Sequence, residues 1–233
     1  MTMPLYLSRV RLRRSASVGA LAPLLMENSD DQGRTQQSGH HLVWSLFADS
    51  SDRTRDFLWR EMTQRGAYMI LSARPPVDRH ALFEIDEPKP FAPILAAGDR
   101  LRFSLRANPV VRRRDSSRPR SAKHDVVMDA LSSLPAGQRA EKRLDAVQER
   151  GLVWLEGQAH KTGFAVRASE VTIDGYRQHR IRRNGAASTM SFSSLDFDGV
   201  LEISDPAALL AGIGRGFGAA KAYGCGLMLI RRV

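Results

Sequence analysis

The chain has 233 residues, of which 42% are hydrophobic, and a formal net charge of +10 with a pI near 10.5. The hydrophobic content excludes a chain that is disordered throughout, and the length suits two domains of roughly 100 residues each. The strong positive charge indicates a polyanionic partner, above all a nucleic acid.

Cysteine usage and the apolar runs exclude further classes of protein. The single cysteine, Cys225, excludes an intrachain disulfide and a cysteine-rich zinc site, and its place before an apolar strand predicts a small buried hydrophobe. No run approaches the ~18 apolar residues of a membrane span, and arginines interrupt the N-terminal segment too early for a signal peptide. We therefore expect a cytoplasmic protein without a membrane partner.

The pattern of the first half predicts strands and helices in the order β-α-β-β. Residues 6–13 alternate, with Tyr6, Ser8, Val10 and Leu12 on one face, which predicts a half-buried strand with a basic outer face. We then expect a loop at 14–39, a helix at 40–47, a second helix from Asp52, and strands at 68–72 and 82–85. This order suits a ferredoxin-like unit, a split βαβ motif.

Prolines at 88, 90 and 93 mark a linker between an N-terminal domain at 1–93 and a C-terminal domain at 94–233. The expected elements after the linker are a strand at 100–106, an exposed basic loop at 112–124, a helix at 138–157, strands at 171–181 and 188–203, a helix from Pro206 capped by Asp205, and a strand at 227–230. This order is β-α-β-β-α-β. The sequence thus predicts an α+β protein of two tandem ferredoxin-like (RRM-like, βαββαβ) domains joined by a short proline-rich linker.

A glycine-rich run precedes the last predicted strand. Five glycines fall between residues 212 and 224, and Lys221 follows Gly216 and Gly218. Glycine lets a backbone approach a bulky anion, successive N–H groups bind it, and a lysine adds a point charge. The run lacks the Gly-x-x-x-x-Gly-Lys-Ser/Thr pattern of a nucleoside triphosphate site. We expect Gly216, Gly218 and Lys221 to lie against a nucleic-acid backbone.

Histidines are the strongest candidates for chemistry. None of the six belongs to a His-Glu-x-x-His motif or a paired His/Cys spacing, so we expect no metal site and no cofactor. RNA can be cut without a metal, because its own 2′-OH attacks the neighbouring phosphate once a histidine takes the proton. His40 and His41 lie where the polar loop meets the first predicted helix, which suits an exposed catalytic imidazole. On position alone, a structural role as helix-capping or partly buried histidines stays open.

Several segments together resemble one family. The string from His40 to Phe47, followed by Arg55-Asp56-Phe57-Leu58, resembles the first helical region of the CRISPR repeat-RNA endoribonucleases of type I-E systems, the CasE family of the RAMP superfamily. Residues 101–109 resemble that family's Leu-x-Phe-x-Leu-Arg-Ala-Asn-Pro strand, and residues 216–229 resemble its glycine-rich loop and last strand. Residues 6–10 and 154–155 also agree, so the resemblance covers nearly the whole chain in the right order.

The resemblance implies metal-independent cleavage at the 3′ base of a CRISPR repeat hairpin, which leaves a 2′,3′-cyclic phosphate and a 5′-OH. It also implies that the protein stays on the crRNA product and joins other subunits of the surveillance complex. It makes His40 the catalytic histidine, with His41 as the fallback if the register slips by one.

The chain departs from the family pattern at two positions. Many members carry a tyrosine three residues before the histidine, which is Gln37 here, and some carry a lysine five residues after it, which is Ser45 here. A weakly catalytic or non-catalytic protein that only binds the repeat hairpin therefore stays open. An ordinary two-RRM protein is disfavoured, because the sequence has no aromatic RNP1-like octamer.

Arginines supply the expected RNA contacts. Asn184-Gly185 between two strand-like runs predicts a hairpin, and the resembling segment of the family enters the major groove of the repeat stem. The arginines expected to bind RNA are Arg177, Arg180, Arg182 and Arg183 on this hairpin, Arg112, Arg113 and Arg114 in the basic loop, and Arg106 on the strand before it. For the basic loop, a solvated surface without RNA contacts is the alternative.

Overall fold

The computed structural model describes residues 4–15, 32–50, 54–113, 122–182 and 189–233. The chain divides by its internal contacts into two compact units, the first comprising 1–94, 179–191 and 220–227, and the second 95–178, 192–219 and 228–233. The domain boundaries expected at 1–93 and 94–233 remain a prediction. Among the described residues, no helix is long and apolar enough to cross a membrane.

The first unit contains an antiparallel five-stranded sheet in which β1 is central. Its strands are β1 (Tyr6–Leu12), β2 (Phe57–Glu61), β3 (Ala67–Ser72), β4 (Phe83–Ile85) and β5 (Lys89–Pro90), in the order β2-β3-β1-β4 with β5 also paired to β1. In β1, Ser8 and Val10 are buried while Arg9 is exposed, so the predicted alternation is confirmed.

Helix α1 (Gln32–Ser45) precedes β2 and covers this sheet. Its residues Leu42 and Val43, together with Leu46 and Phe47 of the following turn, are each at most 4% exposed. They share a core cluster with the sheet residues Val10, Phe57, Trp59, Tyr68, Ile70 and Phe83. The apolar face of α1 thereby positions the residues that come just before it, including His40.

Two predictions for the first unit are wrong. Helix α1 begins at Gln32, inside the segment 14–39 expected to be a loop. The second helix predicted from Asp52 is replaced by strand β2, which pairs with β3 through Phe57↔Ser72 and Trp59↔Ile70. A short apolar run fits either a helix or a strand, and here pairing with β3 decides for the strand. Residues 16–31 and 51–53 lie outside the described part of the chain.

The second unit is built on a four-stranded antiparallel sheet in the order β11-β6-β10-β9. These strands are β6 (Arg100–Ala107), β9 (Phe164–Arg182), β10 (Thr189–Ile203) and β11 (Met228–Arg232). In β6, Leu101, Phe103 and Leu105 are buried while Arg100 and Arg102 are exposed, which confirms the predicted alternation. With helices α3 (Arg143–Lys161) and α4 (Pro206–Arg215), the chain order is the predicted βαββαβ, and the ferredoxin-like fold class is confirmed.

An insertion follows β6 in this unit. It contains β7 (Val110–Arg113), β8 (Ala122–Asp125), α2 (Val126–Ser132) and a 3-10 turn at Ala136–Gln138. Part of the predicted basic loop 112–124 is therefore a β7–β8 ladder, in which Arg112 pairs with Lys123. The predicted start of α3 at 138 is wrong, because position 138 belongs to the 3-10 turn and α3 begins at Arg143. The predicted start of β9 at 171 is also wrong, because a left-handed glycine, Gly163 (φ 70°), joins α3 directly to a longer β9.

The cap of α4 is as predicted. The carboxylate of Asp205 accepts a hydrogen bond of 3.0 Å from the backbone N–H of Ala208, and Pro206 occupies the first turn. Cys225 is 1% exposed, which confirms its prediction as a small buried hydrophobe.

Candidate active site

Three aromatic rings surround His40 on α1. The ring centroids of His41 and Tyr223 lie 5.6 Å from that of His40, and the centroid of Trp44 lies 5.9 Å away. His40 and Trp44 are half-buried, whereas His41 is exposed. Tyr223 belongs to a 3-10 turn (Lys221–Tyr223) in the glycine-rich run, so this run meets the histidine helix within the first unit.

The turn that carries Tyr223 is fixed by its backbone and by a tryptophan. Ala220 and Gly224, at its two ends, both have left-handed conformations, with φ of 50° and 78°. The indole Nε1 of Trp59 on β2 donates a 3.0 Å hydrogen bond to the carbonyl of Ala222. Because Trp59 is only 1% exposed, it holds the turn from inside the core.

A glycine lets α1 approach the same tryptophan. A Cβ placed on Gly39 would lie 2.8 Å from the Cη2 atom of Trp59, closer than real Cβ contacts. Gly39 directly precedes His40, so close packing here sets the height of His40 above β2. The arrangement places α1, β2 and the 3-10 turn around one imidazole.

The surroundings of His40 favour its neutral form. Burial lowers the pKa of the His40 imidazole below its ordinary 6.5, and the charges of His41 and Arg55 lower it further, while a backbone hydrogen-bond acceptor at Ala222 acts in the opposite direction. Nδ1 of His40 is buried and makes no hydrogen bond to any of the described residues. A neutral imidazole with a free nitrogen is suited to accept a proton at neutral pH.

Arg55 provides a cation close to this imidazole. It is half-buried, burial lowers the pKa of its guanidinium, and its charge acts on His40. Within the described ranges it has no ion-pair partner. A partly desolvated guanidinium without a carboxylate partner can stabilise negative charge that develops on a phosphate.

Gln37 and Ser45 cannot replace the tyrosine and the lysine that family members carry at these two positions. Ser45 donates its hydroxyl proton to the carbonyl of Leu42 at 2.8 Å, so it satisfies its own helix. Gln37 is a half-buried amide, which does not titrate. The polar groups that the structure brings to His40 are His41, Arg55 and Tyr223 instead.

The glycine-rich run packs against its own protein in the second unit. At Gly218 (φ 73°) a Cβ would lie 2.5 Å from the carbonyl oxygen of Asn108 and 3.2 Å from Trp154. The next N–H, of Ala219, donates to that carbonyl at 3.1 Å. Gly216 closes α4 through its own N–H. These contacts account for both glycines, and a contact of Gly216, Gly218 or Lys221 with RNA stays a prediction.

Two of the predicted RNA-binding arginines are held by carboxylates. Arg106 forms a bidentate salt bridge with Asp196, with distances of 2.7 and 2.8 Å between guanidinium nitrogens and carboxylate oxygens. Arg113 forms the same kind of salt bridge with Asp129, at 2.6 and 2.5 Å. Arg113 correspondingly lowers the pKa of the Asp129 carboxyl. The side chains of Arg112, Arg177 and Arg180 are exposed, whereas Arg114, Arg183 and the side chain of Arg182 lie outside the described residues.

No group of three or more His, Cys, Asp or Glu side chains arranged for a metal ion occurs in the part of the chain that the structure describes.

Sequence reasoning identified His40 but not Tyr223, Arg55 or Trp59 as its neighbours. Tyr223 lies in another segment far along the chain, and no local pattern signals such a contact. Arg55 precedes a strand that the sequence pattern mistook for a helix.

The chain matches the family of CRISPR-associated proteins over residues 5–232. It is 30% identical over 193 residues to the CRISPR system Cascade subunit CasE of Escherichia coli (strain K12), a match that covers 81% of this chain and 88% of that protein. It is also 30% identical over 155 residues to the CRISPR-associated endoribonuclease Cse3 of Thermus thermophilus, with 63% of each covered. A structure of Thermus thermophilus Cse3 bound to an RNA representing a pre-cleavage complex has the same fold, with a TM-score of 0.66 at 23% identity, and 98% and 99% of the two chains are covered.

Proposed function

Because this chain belongs to the family of CRISPR-associated proteins, we propose that it is a metal-independent endoribonuclease which binds the stem-loop of CRISPR repeat RNA and cleaves at the 3′ base of the hairpin. The observation that carries the proposal is the half-buried imidazole of His40, whose lowered pKa keeps it neutral at physiological pH. The relatives named as an endoribonuclease and as a Cascade subunit support the choice of RNA as substrate.

The proposed reaction uses the 2′-OH of the nucleotide before the cut. His40 takes the proton from this hydroxyl, and the 2′-oxygen then attacks the adjacent phosphorus. Arg55 stabilises the negative charge that grows on the phosphate oxygens. The products are a 2′,3′-cyclic phosphate and a 5′-OH, and DNA, which lacks the hydroxyl, is not cut.

Basic side chains outside this site bind the hairpin. Arg112, Arg177 and Arg180 are exposed and can meet phosphates directly. Arg106 and Arg113 must share their guanidinium groups with Asp196 and Asp129 to do so. The remaining proposed contacts are Arg114, Arg182, Arg183, Gly216, Gly218 and Lys221. Each phosphate contact adds roughly 0.7–0.9 to the slope of log affinity against log salt.

We place the protein in the cytoplasm, where it keeps the mature crRNA and serves as a subunit of the surveillance complex. Retention follows if the stem is bound by contacts that cleavage at its base leaves intact. A relative that is itself a Cascade subunit supports this assignment.

The proposal is tested with purified protein and end-labelled type I-E repeat hairpins. We expect cleavage in the presence of EDTA, product ends that are a 2′,3′-cyclic phosphate and a 5′-OH, and no cleavage of a hairpin with a single 2′-deoxy nucleotide before the cut. Cleavage of the 2′-deoxy hairpin would overturn the mechanism, and loss of cleavage in EDTA would overturn metal independence.

A binding-only protein is the second candidate. It is favoured by Gln37 and Ser45, which stand where many family members carry a tyrosine and some a lysine. Tight binding of repeat hairpins without cleavage under any of these conditions would select it.

A further inference from the structure

The reaction proposed above needs two proton transfers. One proton leaves the attacking 2′-oxygen, and another must reach the departing 5′-oxygen, because an alkoxide is a poor leaving group. Neutral His40 can perform the first transfer only. The inference that follows rests on the proposed function and concerns the second group.

Among the residues that the structure describes, two side chains with a transferable proton lie beside His40. The rings of His41 and Tyr223 both have centroids 5.6 Å from the His40 ring, and they belong to α1 and to the 3-10 turn respectively. The other ring in contact, Trp44, has no acid of suitable strength. We propose that His41 is the general acid that protonates the 5′-oxygen, so that two neighbouring histidines of α1 form an acid–base pair.

Exposure and charge favour His41 over Tyr223. His41 is exposed at the surface of α1, so it is hydrated and an RNA strand can reach it. An imidazolium transfers a proton near pH 7 far more readily than a phenol, whose ordinary pKa is about 10. Tyr223 packs on the half-buried ring of His40 as part of the turn held by Trp59.

The two histidines also divide the roles between them. Charge on His41 disfavours charge on His40, and burial and Arg55 act on His40 in the same direction, whereas the backbone of Ala222 opposes them. These effects favour the neutral form of His40, which suits it to the role of base and leaves the role of acid to the exposed His41. Pairs of titrating groups whose surroundings separate them in this way are suited to act as acid and base.

Protons and bonds balance over the proposed step. The 2′-O–H proton moves to the unprotonated ring nitrogen of His40, the bond from the 2′-oxygen to phosphorus forms, and the bond from phosphorus to the 5′-oxygen breaks. The 5′-oxygen keeps the electron pair of that bond and takes the proton from His41. His40 ends protonated and His41 neutral, and exchange with water restores the starting state.

A leaving group that needs no proton identifies the acid. The test uses the repeat hairpin with sulphur in place of the bridging 5′-oxygen at the cut, since a thiolate departs without protonation. We expect His41→Gln to cleave the natural hairpin about 10²–10⁴-fold more slowly than wild type, and the sulphur hairpin at close to the wild-type rate. His40→Ala should be slow on both hairpins.

Binding and pH dependence separate this role from a structural one. His41→Gln should bind a 2′-deoxy hairpin with wild-type affinity, and it should lose the high-pH limb of the bell-shaped dependence of kcat/KM on pH. Equal slowing on both hairpins, or an unchanged rate on the natural one, would overturn the proposal. The proposal would also be overturned if the sulphur hairpin restored the cleavage rate of Tyr223→Phe but not that of His41→Gln, because Tyr223 would then be the acid. If wild type cleaves neither hairpin, the proposed function itself fails.

Discussion

A single methyl group at Gly39 tests the packing that positions His40. In Gly39→Ala the new Cβ would lie 2.8 Å from Cη2 of Trp59, which is 1% exposed and belongs to the core cluster of the first unit. Overpacking of this kind costs about 1–3 kcal/mol, and the higher helix propensity of alanine offsets about 1 kcal/mol of it. We expect a net loss of about 0–2 kcal/mol in the free energy of unfolding.

Gly157→Ala in α3 is the matched control, since nothing lies within 4 Å of a Cβ at that helical position. It should gain up to about 1 kcal/mol, because only the helix propensity changes. The two variants should therefore differ by about 1–3 kcal/mol, or roughly 2–12 °C in Tm for a chain of this size, measured by thermal unfolding followed by circular dichroism. Equal Tm shifts for the two alanines would refute the close approach of α1 to Trp59.

Three further predictions concern the cap of α4, the turn above β2 and the protonation of His40. Asp205→Ala should lower the free energy of unfolding by about 1 kcal/mol, because the N–H of Ala208 loses its acceptor. Denaturant titration measures this change, and an unchanged free energy would contradict the capping role. Trp59→Phe removes the indole N–H that donates to the carbonyl of Ala222. We expect the single-turnover cleavage rate to fall more than the hairpin affinity does, and an equal fall in both would contradict a role of Trp59 in positioning the turn. The low-pH limb of kcat/KM should have its midpoint below pH 6.5, since the pKa of His40 is lowered and the base must be neutral, and a midpoint above 6.5 would show that burial does not control it.

Local patterns predicted the parts of this fold that local physics controls. The alternation in β6 and β1 and the cap at Asp205 are properties of a few consecutive residues, and the structure confirms each. The segment from Phe57 misled the sequence reasoning, because its apolar residues fit a helix until β3 is present to pair with them.

The candidate site was predictable to the same limited degree. His40 was identified from its place before an apolar helical run and from the family resemblance, and the structure places it at a half-buried position with a lowered pKa. Its contact with Tyr223 depends on tertiary packing, namely the left-handed turn ends and the bond from Trp59 to Ala222. The sequence predicts that Gly218 approaches an anion. In the structure Gly218 lies against the backbone carbonyl of Asn108, which belongs to the strand motif at residues 101–109.

The role of His40 as the base is tested most directly by comparing the single-turnover cleavage rate and the hairpin affinity of His40→Ala with those of wild type. His160→Ala, at an exposed position near the end of α3, serves as the control. The mechanism predicts that His40→Ala binds the hairpin as wild type does, cleaves it about 10²–10⁴-fold more slowly in EDTA, and that His160→Ala behaves as wild type. Cleavage by His40→Ala at the wild-type rate would contradict it.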